Sequence, residues 1–109
     1  RLIVQVGEPY AAALVLDAQG VPLPLPAAEL VSHADGTLRA TRVPAGQFTV
    51  IVQSADGERH GSRAIALSAS DERSITLPLV QDAELGRRFL LAAGGAALKH
   101  PLVLAGDAR

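Results

Sequence analysis

The fold is decided by the stretch DGTLRATRVPAGQFTVIVQS, residues Asp35–Ser54. Two runs in which apolar and polar residues alternate, Thr37–Val43 and Gln47–Ser54, lie on either side of the tripeptide Pro-Ala-Gly. Alternation with a period of two is typical of a strand that has one buried face, and a turn-forming tripeptide between two such runs is typical of a β-hairpin. The stretch therefore predicts a hairpin to which the remaining strands are added.

The hairpin has a predicted register, and therefore two predicted faces. Placing Val43 opposite Gln47 sets one apolar series toward the core and leaves Arg42 at its rim. The core face carries Leu38, Ala40, Phe48, Val50 and Val52. The opposite face carries Arg39, Thr41, Thr49, Ile51 and Gln53. We expect this second face to be either ordinary solvent-exposed surface or a contact face for a protein partner.

Further short segments have the composition of strands. They are Leu2–Val6, Ala11–Leu16, Ala28–His33, Ala64–Ser68 and Ser74–Val80. Turn residues separate them at the roughly 8–12-residue spacing that is typical of an all-β sandwich. The register of Ala28–His33 stays open, because one extra loop residue would exchange its two faces. Together with the hairpin they predict an all-β sandwich domain of about seven strands over residues 1–80.

Residues 81–109 are predicted to be a C-terminal extension, and one interpretation of it is a helix. Asp82 can cap a helix over Asp82–Ala93, and the apolar residues Leu85 and Phe89 lie one turn apart. Gly94-Gly95 would end this helix.

Two other interpretations of the extension remain open. One is a hairpin of Arg88–Ala93 with Ala96–Leu104, joined by the same glycine pair. The other is the opening strand and turn of a second copy of the domain, because Leu90–Leu98 aligns loosely with Val15–Leu23.

Composition narrows the possible partners. The 109 residues, 49% hydrophobic and 19% charged, suffice for one domain with a core. A formal net charge of −1 with scattered cations argues against nucleic acid. No apolar run approaches the ~20 residues that span a bilayer, and the absence of cysteine leaves the redox compartment open. The chain starts at Arg1 and is rich in arginine and alanine, so we expect a piece of a longer, high-GC bacterial protein.

No catalytic, cofactor-binding or metal site is predicted. Ser32, His33 and Asp35 lie close together in sequence, but neighbouring residues of a strand point to opposite faces. The three histidines lack the spacing of zinc ligands. Each aspartate at a glycine turn is accounted for by that turn: these are Asp17, Asp35 and Asp56.

Three stretches carry a resemblance to a known family. They are LVLDAQGVPL at 14–23, DGTL at 35–38 and VPAGQFTVIV at 43–52. With these, Ala12–Val80 resembles the carboxypeptidase regulatory-like domains, also called transthyretin-like or prealbumin-like modules. The resemblance implies a seven-stranded immunoglobulin-like sandwich that performs no chemistry and is attached to secreted, surface or outer-membrane transport proteins. It implies a periplasmic, cell-surface or extracellular location.

The expected function follows from this kind of module. We expect a non-catalytic accessory domain of a larger bacterial cell-envelope or secreted protein, which docks protein partners or positions neighbouring domains. One alternative is a module that binds polysaccharide or another envelope polymer, for which Tyr10 is the candidate exposed aromatic residue. Another is the C-terminal sandwich of an outer-membrane usher-type assembly protein, which the turn and prolines over 17–24 suggest.

Overall fold

Short strands form two three-stranded sheets in the computed structural model, which describes residues 1–68 and 72–97, with side chains to residue 94. The first sheet has the strand order β3-β1-β6, and the second has the order β2-β4-β5. The strands are β1 (Leu2–Gln5), β2 (Ala12–Leu16), β3 (Thr37–Ala40), β4 (Gly46–Gln53), β5 (His60–Leu67) and β6 (Arg73–Thr76). The chain is therefore rich in sheet, as predicted, with six strands in the described residues rather than about seven.

Each sheet is organised around a central strand. In the first sheet β1 pairs antiparallel with β3 and parallel with β6, so that Val4 lies between Leu38 and Ile75. In the second sheet β4 pairs antiparallel with both β2 and β5, and Val50 lies between Val15 and Arg63. Among the described strands, only β4 and β5 are paired strands that follow one another along the chain; β1 pairs with strands that lie far from it in sequence, and so does β2.

The two sheets share one hydrophobic cluster. Alternate residues of each strand point into it, as the period of two requires. The first sheet supplies Leu2, Val4, Leu38, Ala40 and Ile75, all buried. The second sheet supplies Ala13, Val15, Phe48, Val50, Val52, Ile65 and Leu67. The predicted core residues Leu38, Ala40, Phe48, Val50 and Val52 are thus confirmed as buried.

The predicted hairpin pairing is wrong. The runs Thr37–Val43 and Gln47–Ser54 do not pair with each other, because β3 belongs to the first sheet and β4 to the second. The residues around Pro44 carry the chain from one sheet across to the other. Alternation reports which face of a strand is buried, and it is satisfied equally by a neighbour in the same sheet and by a strand across the core.

The predicted strand Ala28–His33 is also wrong. Ala27–Leu30 form a short 3-10 helix after Pro26, and Val31 makes only a single bridge, to Ala12. Glu29 in this helix accepts hydrogen bonds from the backbone N–H and the hydroxyl of Thr41, both at 3.0 Å. The segment therefore covers the end of β3 instead of adding a strand.

The described part of the C-terminal extension is a helix, α1 (Ala83–Ala97). The N–H of Leu85 donates to the carboxylate of Asp82 at 3.1 Å, which is the predicted cap. The helical interpretation is confirmed, and the two alternatives, a hairpin strand over Arg88–Ala93 and the opening strand and turn of a second copy, are wrong for the residues as far as Ala97. The predicted end at Gly94-Gly95 is wrong too, because the helix continues to Ala97.

The remainder of the proposed second strand, residues 98–104, lies outside the described residues. No helix in the described ranges is long and apolar enough to cross a membrane.

Candidate functional site

Helix α1 packs on the outer face of the second sheet. Ile51 points away from the shared core, yet it is only 1% exposed because Leu85 and Phe89 of the helix cover it. Leu14 of β2 packs against the same small cluster. The central strand β4 is thus buried on both of its faces around Ile51.

His60 lies beneath the helix at the start of β5. Its side chain is buried, with Nε2 3.0 Å from Oε1 of Gln53 and its ring centroid 6.0 Å from that of Phe89. The other ring nitrogen, Nδ1, has no hydrogen-bond partner among the described residues. Gly86 permits this close approach, since a Cβ there would lie only 3.0 Å from the ring Cε1.

Beyond this contact the helix and the sheet leave an open groove of about 360 Å³, which we call the α1 groove. Its lining includes Leu16, Thr49, Ile51, Arg88, Leu91 and Ala92. Leu90 and Leu91 are 63% and 75% exposed, which is unusual for two adjacent leucines of a docked helix. The α1 groove is therefore mainly apolar, with one cation at its rim.

A second depression of about 230 Å³ adjoins the α1 groove at Thr49. Gln47, Phe48 and Asp17 contribute to its lining. One carboxylate oxygen of Asp17 accepts the N–H groups of Gln19 and Val21, both at 2.9 Å, so this residue mainly serves its own turn.

The residues of the predicted partner face do not form one surface. Arg39 and Thr41 belong to the side of the first sheet, where Arg39 lies 3.9 Å from Asp35 and Thr41 bonds Glu29. The other three belong to the outer face of the second sheet, which is on the opposite side of the core. They are half-buried Thr49, buried Ile51 and half-buried Gln53. The split follows directly from the missing hairpin.

The sequence interpretation missed the outer surface of α1, formed by Arg87, Arg88, Leu90 and Leu91. A signal for it was present. Leu85 and Phe89 define the buried stripe of the helix, and two consecutive leucines immediately after Phe89 cannot both lie on a stripe with a period of 3.6 residues. The role of His60 had no comparable signal, because the residues around it have the polar composition of a turn.

The turn aspartates are held by local hydrogen bonds. Hydrogen bonds from the hydroxyl of Thr37, and to a smaller extent from its backbone N–H, lower the pKa of the Asp35 carboxyl from its ordinary value. The hydroxyl of Ser54, followed by the N–H of Glu58, does the same to the pKa of Asp56. Among the described residues no three carboxylate or imidazole groups come together as a metal site would require.

The Ser32, His33 and Asp35 series is not assembled for nucleophilic chemistry. Ser32 is 1% exposed, and its hydroxyl donates to the carbonyl of Glu8 at 2.7 Å while it accepts the N–H of Ala11 at 2.8 Å. His33 is exposed. The hydroxyl thus ties together two chain segments and has no free lone pair directed at solvent.

Tyr10 lies in the loop that connects β1 to β2. Its side chain is 66% exposed, and its backbone has a positive φ of 60°, which is uncommon for residues other than glycine and especially for bulky ones. Its loop is anchored by the Tyr10 N–H donating to the Ser32 carbonyl at 3.0 Å. Two contacts of 2.8 Å between the Glu8 carboxylate and the Arg59 guanidinium add a bidentate ion pair.

Comparison with known proteins adds no relative to these observations. No family model matches the sequence, and no curated protein or solved structure matches it.

Proposed function

We propose that this chain is a non-catalytic accessory module of a larger bacterial cell-envelope or secreted protein, which docks a protein partner or positions neighbouring domains. The observation that carries the proposal is the outer surface of α1. Leu91 is exposed at the rim of the α1 groove, and Leu90 is exposed on the outer surface of the same helix, which is already docked through its other face. Large exposed apolar side chains next to an apolar groove are typical of a protein contact.

We further propose that the two sheets form a transthyretin-like sandwich. Supporting this assignment are the shared hydrophobic cluster and the turns at Asp17–Gly20 and Asp35-Gly36, which carry the sequence resemblance. A module of this type would act in the periplasm, on the cell surface or outside the cell. Its role would be to hold other domains in place.

The proposal is tested with the parent polypeptide. Residues 1–109 and the adjoining parts of the parent are expressed separately, and their association is measured by isothermal titration calorimetry. We expect saturable binding to at least one neighbouring domain or to a co-purified partner of the parent. Absence of binding to every such protein would contradict the docking role.

One observation favours a second candidate function, binding of an envelope polysaccharide. Tyr10 presents an exposed aromatic ring on a strained backbone, and strain of this kind clusters at binding sites. Aromatic faces are common platforms for apolar ligand surfaces. A pull-down on purified envelope polymer that Tyr10→Ala abolishes, and that Leu91→Ser leaves intact, would favour this candidate over protein docking.

A further inference from the structure

The surface around α1 also indicates what kind of partner it takes. We propose that the α1 groove binds a protein segment in which an apolar side chain lies next to carboxylates. This inference rests on the proposed docking function, and it specifies the surface used and the chemistry of the partner.

The shape of the site favours a protein segment over a small molecule. The α1 groove is open, and Leu91 at its rim is 75% exposed. A small ligand in the groove would leave Leu90 in water, because Leu90 is 63% exposed on the outer surface of the helix. A protein segment that inserts one apolar side chain over Ile51 and continues across the helix would cover both leucines.

The charge around the site favours an acidic partner. Arg87 and Arg88 are both exposed, and within the described ranges neither forms an ion pair. Glu84, one turn before Arg88, does not come within ion-pair distance of it. Arg88 lines the α1 groove and Arg87 is exposed on the same helix, and neither guanidinium has a carboxylate partner among the described residues. This arrangement is electrostatically complementary to an acidic, apolar segment.

The same charges argue against a second copy of this chain as the occupant. A two-fold symmetric contact through α1 would place the same patch on both sides of the interface. A symmetric contact centred on Arg87 and Arg88 would bring the guanidinium groups of the two copies together, and juxtaposed like charges oppose association.

The expected effect of charge can be bounded. An exposed ion pair contributes about 0.2–1 kcal/mol, so two such pairs change affinity by roughly 2- to 30-fold. Ion pairs at a rim are also screened by salt. Binding should therefore weaken several-fold as sodium chloride is raised from about 0.05 to 0.3 M.

The test uses the full 109-residue chain and synthetic peptides of fixed composition. The probes are eight-residue peptides centred on Leu-Leu-Glu-Glu, Leu-Leu-Lys-Lys or Ser-Ser-Glu-Glu, titrated into ¹⁵N-labelled protein. We expect the first peptide to shift the amide signals of Thr49, Ile51 and Leu91 at several-fold lower concentration than either of the others. The separate lysine and serine peptides distinguish charge from apolar contact.

Variants give the sharper comparison. Arg88→Glu should reverse the preference between the glutamate and lysine peptides, and Leu91→Ser should remove binding of both. Both side chains are exposed, so neither change should affect folding, which circular dichroism checks. Arg39→Glu is the matched control, because Arg39 is exposed on the first sheet, across the core from α1.

Several results would overturn the inference. They are equal binding of the glutamate and lysine peptides, shifts that map away from the α1 groove, or no shift at millimolar peptide. Binding of the parent's neighbouring domains that persists in Arg88→Glu and Leu91→Ser would also overturn it while leaving the docking function intact. If the unaltered chain binds none of these proteins, the docking function itself is contradicted.

Discussion

The outer faces of the two sheets differ sharply. The first sheet turns Gln5, Arg39 and Ser74 to solvent, and only Ile3 interrupts this polar surface with a half-buried apolar side chain. The second sheet turns Leu14 and Ile51 outward, and α1 covers them. Two sheets of three strands each therefore differ in their outer faces: that of the first sheet is exposed, and that of the second sheet is covered by a helix.

This difference lies in how deeply the outward-facing apolar side chains of the two central strands are buried. In the first sheet β3 alternates over Thr37–Ala40, and β1 carries the run Leu2-Ile3-Val4 with its outward Ile3 half-buried. In the second sheet β4 carries the run Val50-Ile51-Val52, and its outward Ile51 is buried. A strand that is apolar on both sides is typical of one buried on both faces. In β4 the second buried face is that of Ile51 beneath α1, whereas a run of the same length in β1 leaves Ile3 half-buried, so the apolar run alone does not identify the covered strand.

The largest expected effect comes from the core that the two sheets share. Phe48 is only 7% exposed within that core, so Phe48→Ala should cost about 3–5 kcal/mol of unfolding free energy. Urea denaturation followed by circular dichroism measures the loss. Because both sheets contribute to the cluster, they should unfold in one transition. Separate transitions for the two sheets would show that the core does not couple them.

The next effect tests the covered face against the bare one. Ile51→Ala removes a side chain that is 1% exposed beneath α1, and we expect a loss of about 2–4 kcal/mol. Ile3→Ala, at a half-buried position of the first sheet, is the matched control and should cost about 1 kcal/mol. Equal losses in urea midpoints would mean that the helix does not protect Ile51 in solution.

A smaller effect with two opposite signs tests how closely α1 approaches the sheet. A Cβ at Gly86 would lie 3.0 Å from the His60 ring, so Gly86→Ala should destabilise by about 1 kcal/mol despite its better helix propensity. No atom of the described residues lies within 4 Å of a Cβ at Gly94, so Gly94→Ala should stabilise by about 0.5–1 kcal/mol. Thermal unfolding measures both, and stabilisation by both substitutions would contradict the tight contact.

The smallest expected effect is a pH dependence of folding stability that arises from the aspartates in the turns. Hydrogen bonds lower the pKa of Asp56, so its ionised carboxylate stabilises the folded state above pH about 4, and this contribution is lost as pH falls through the lowered pKa. Asp56→Asn should therefore reduce the urea midpoint at pH 7 and have little effect near pH 2.

Asp35→Asn provides the comparison in the turn before β3, because the pKa of Asp35 is lowered by the same kind of hydrogen bond. If the difference in urea midpoint between a variant and the unaltered chain persists undiminished at pH 2, the effect does not come from the carboxylate.

The buried face of each strand could be predicted from sequence, because the alternation of residue types along one strand is enough to identify it. The period-two pattern identified the buried side chains Leu38 and Val52 correctly because burial depends only on the face of the strand. It could not identify the neighbours of β3, because its partner β1 lies more than thirty residues earlier in the sequence and local turn residues carry no information about it.

The candidate site was less predictable than the core. Asp82 and the spacing of Leu85 and Phe89 indicated α1, but the sheet face on which the helix packs depends on the three-dimensional arrangement of all three second-sheet strands. The predicted partner face was wrong because it assumed that β3 and β4 pair with each other. They belong to different sheets, so Arg39 and Ile51 lie on opposite sides of the core.

The parallel pairing of β1 with β6 has a mechanical consequence. Bonds join the two strands at both ends, with the Arg73 N–H donating to the Arg1 carbonyl at 2.8 Å and the Leu77 N–H to the Gln5 carbonyl at 2.9 Å. Tension applied at residue 1 and after residue 77 would pull the two strands lengthwise in opposite directions. All the bonds between them would then be loaded together in shear rather than opened one at a time, so the first sheet would resist stretching as a clamp.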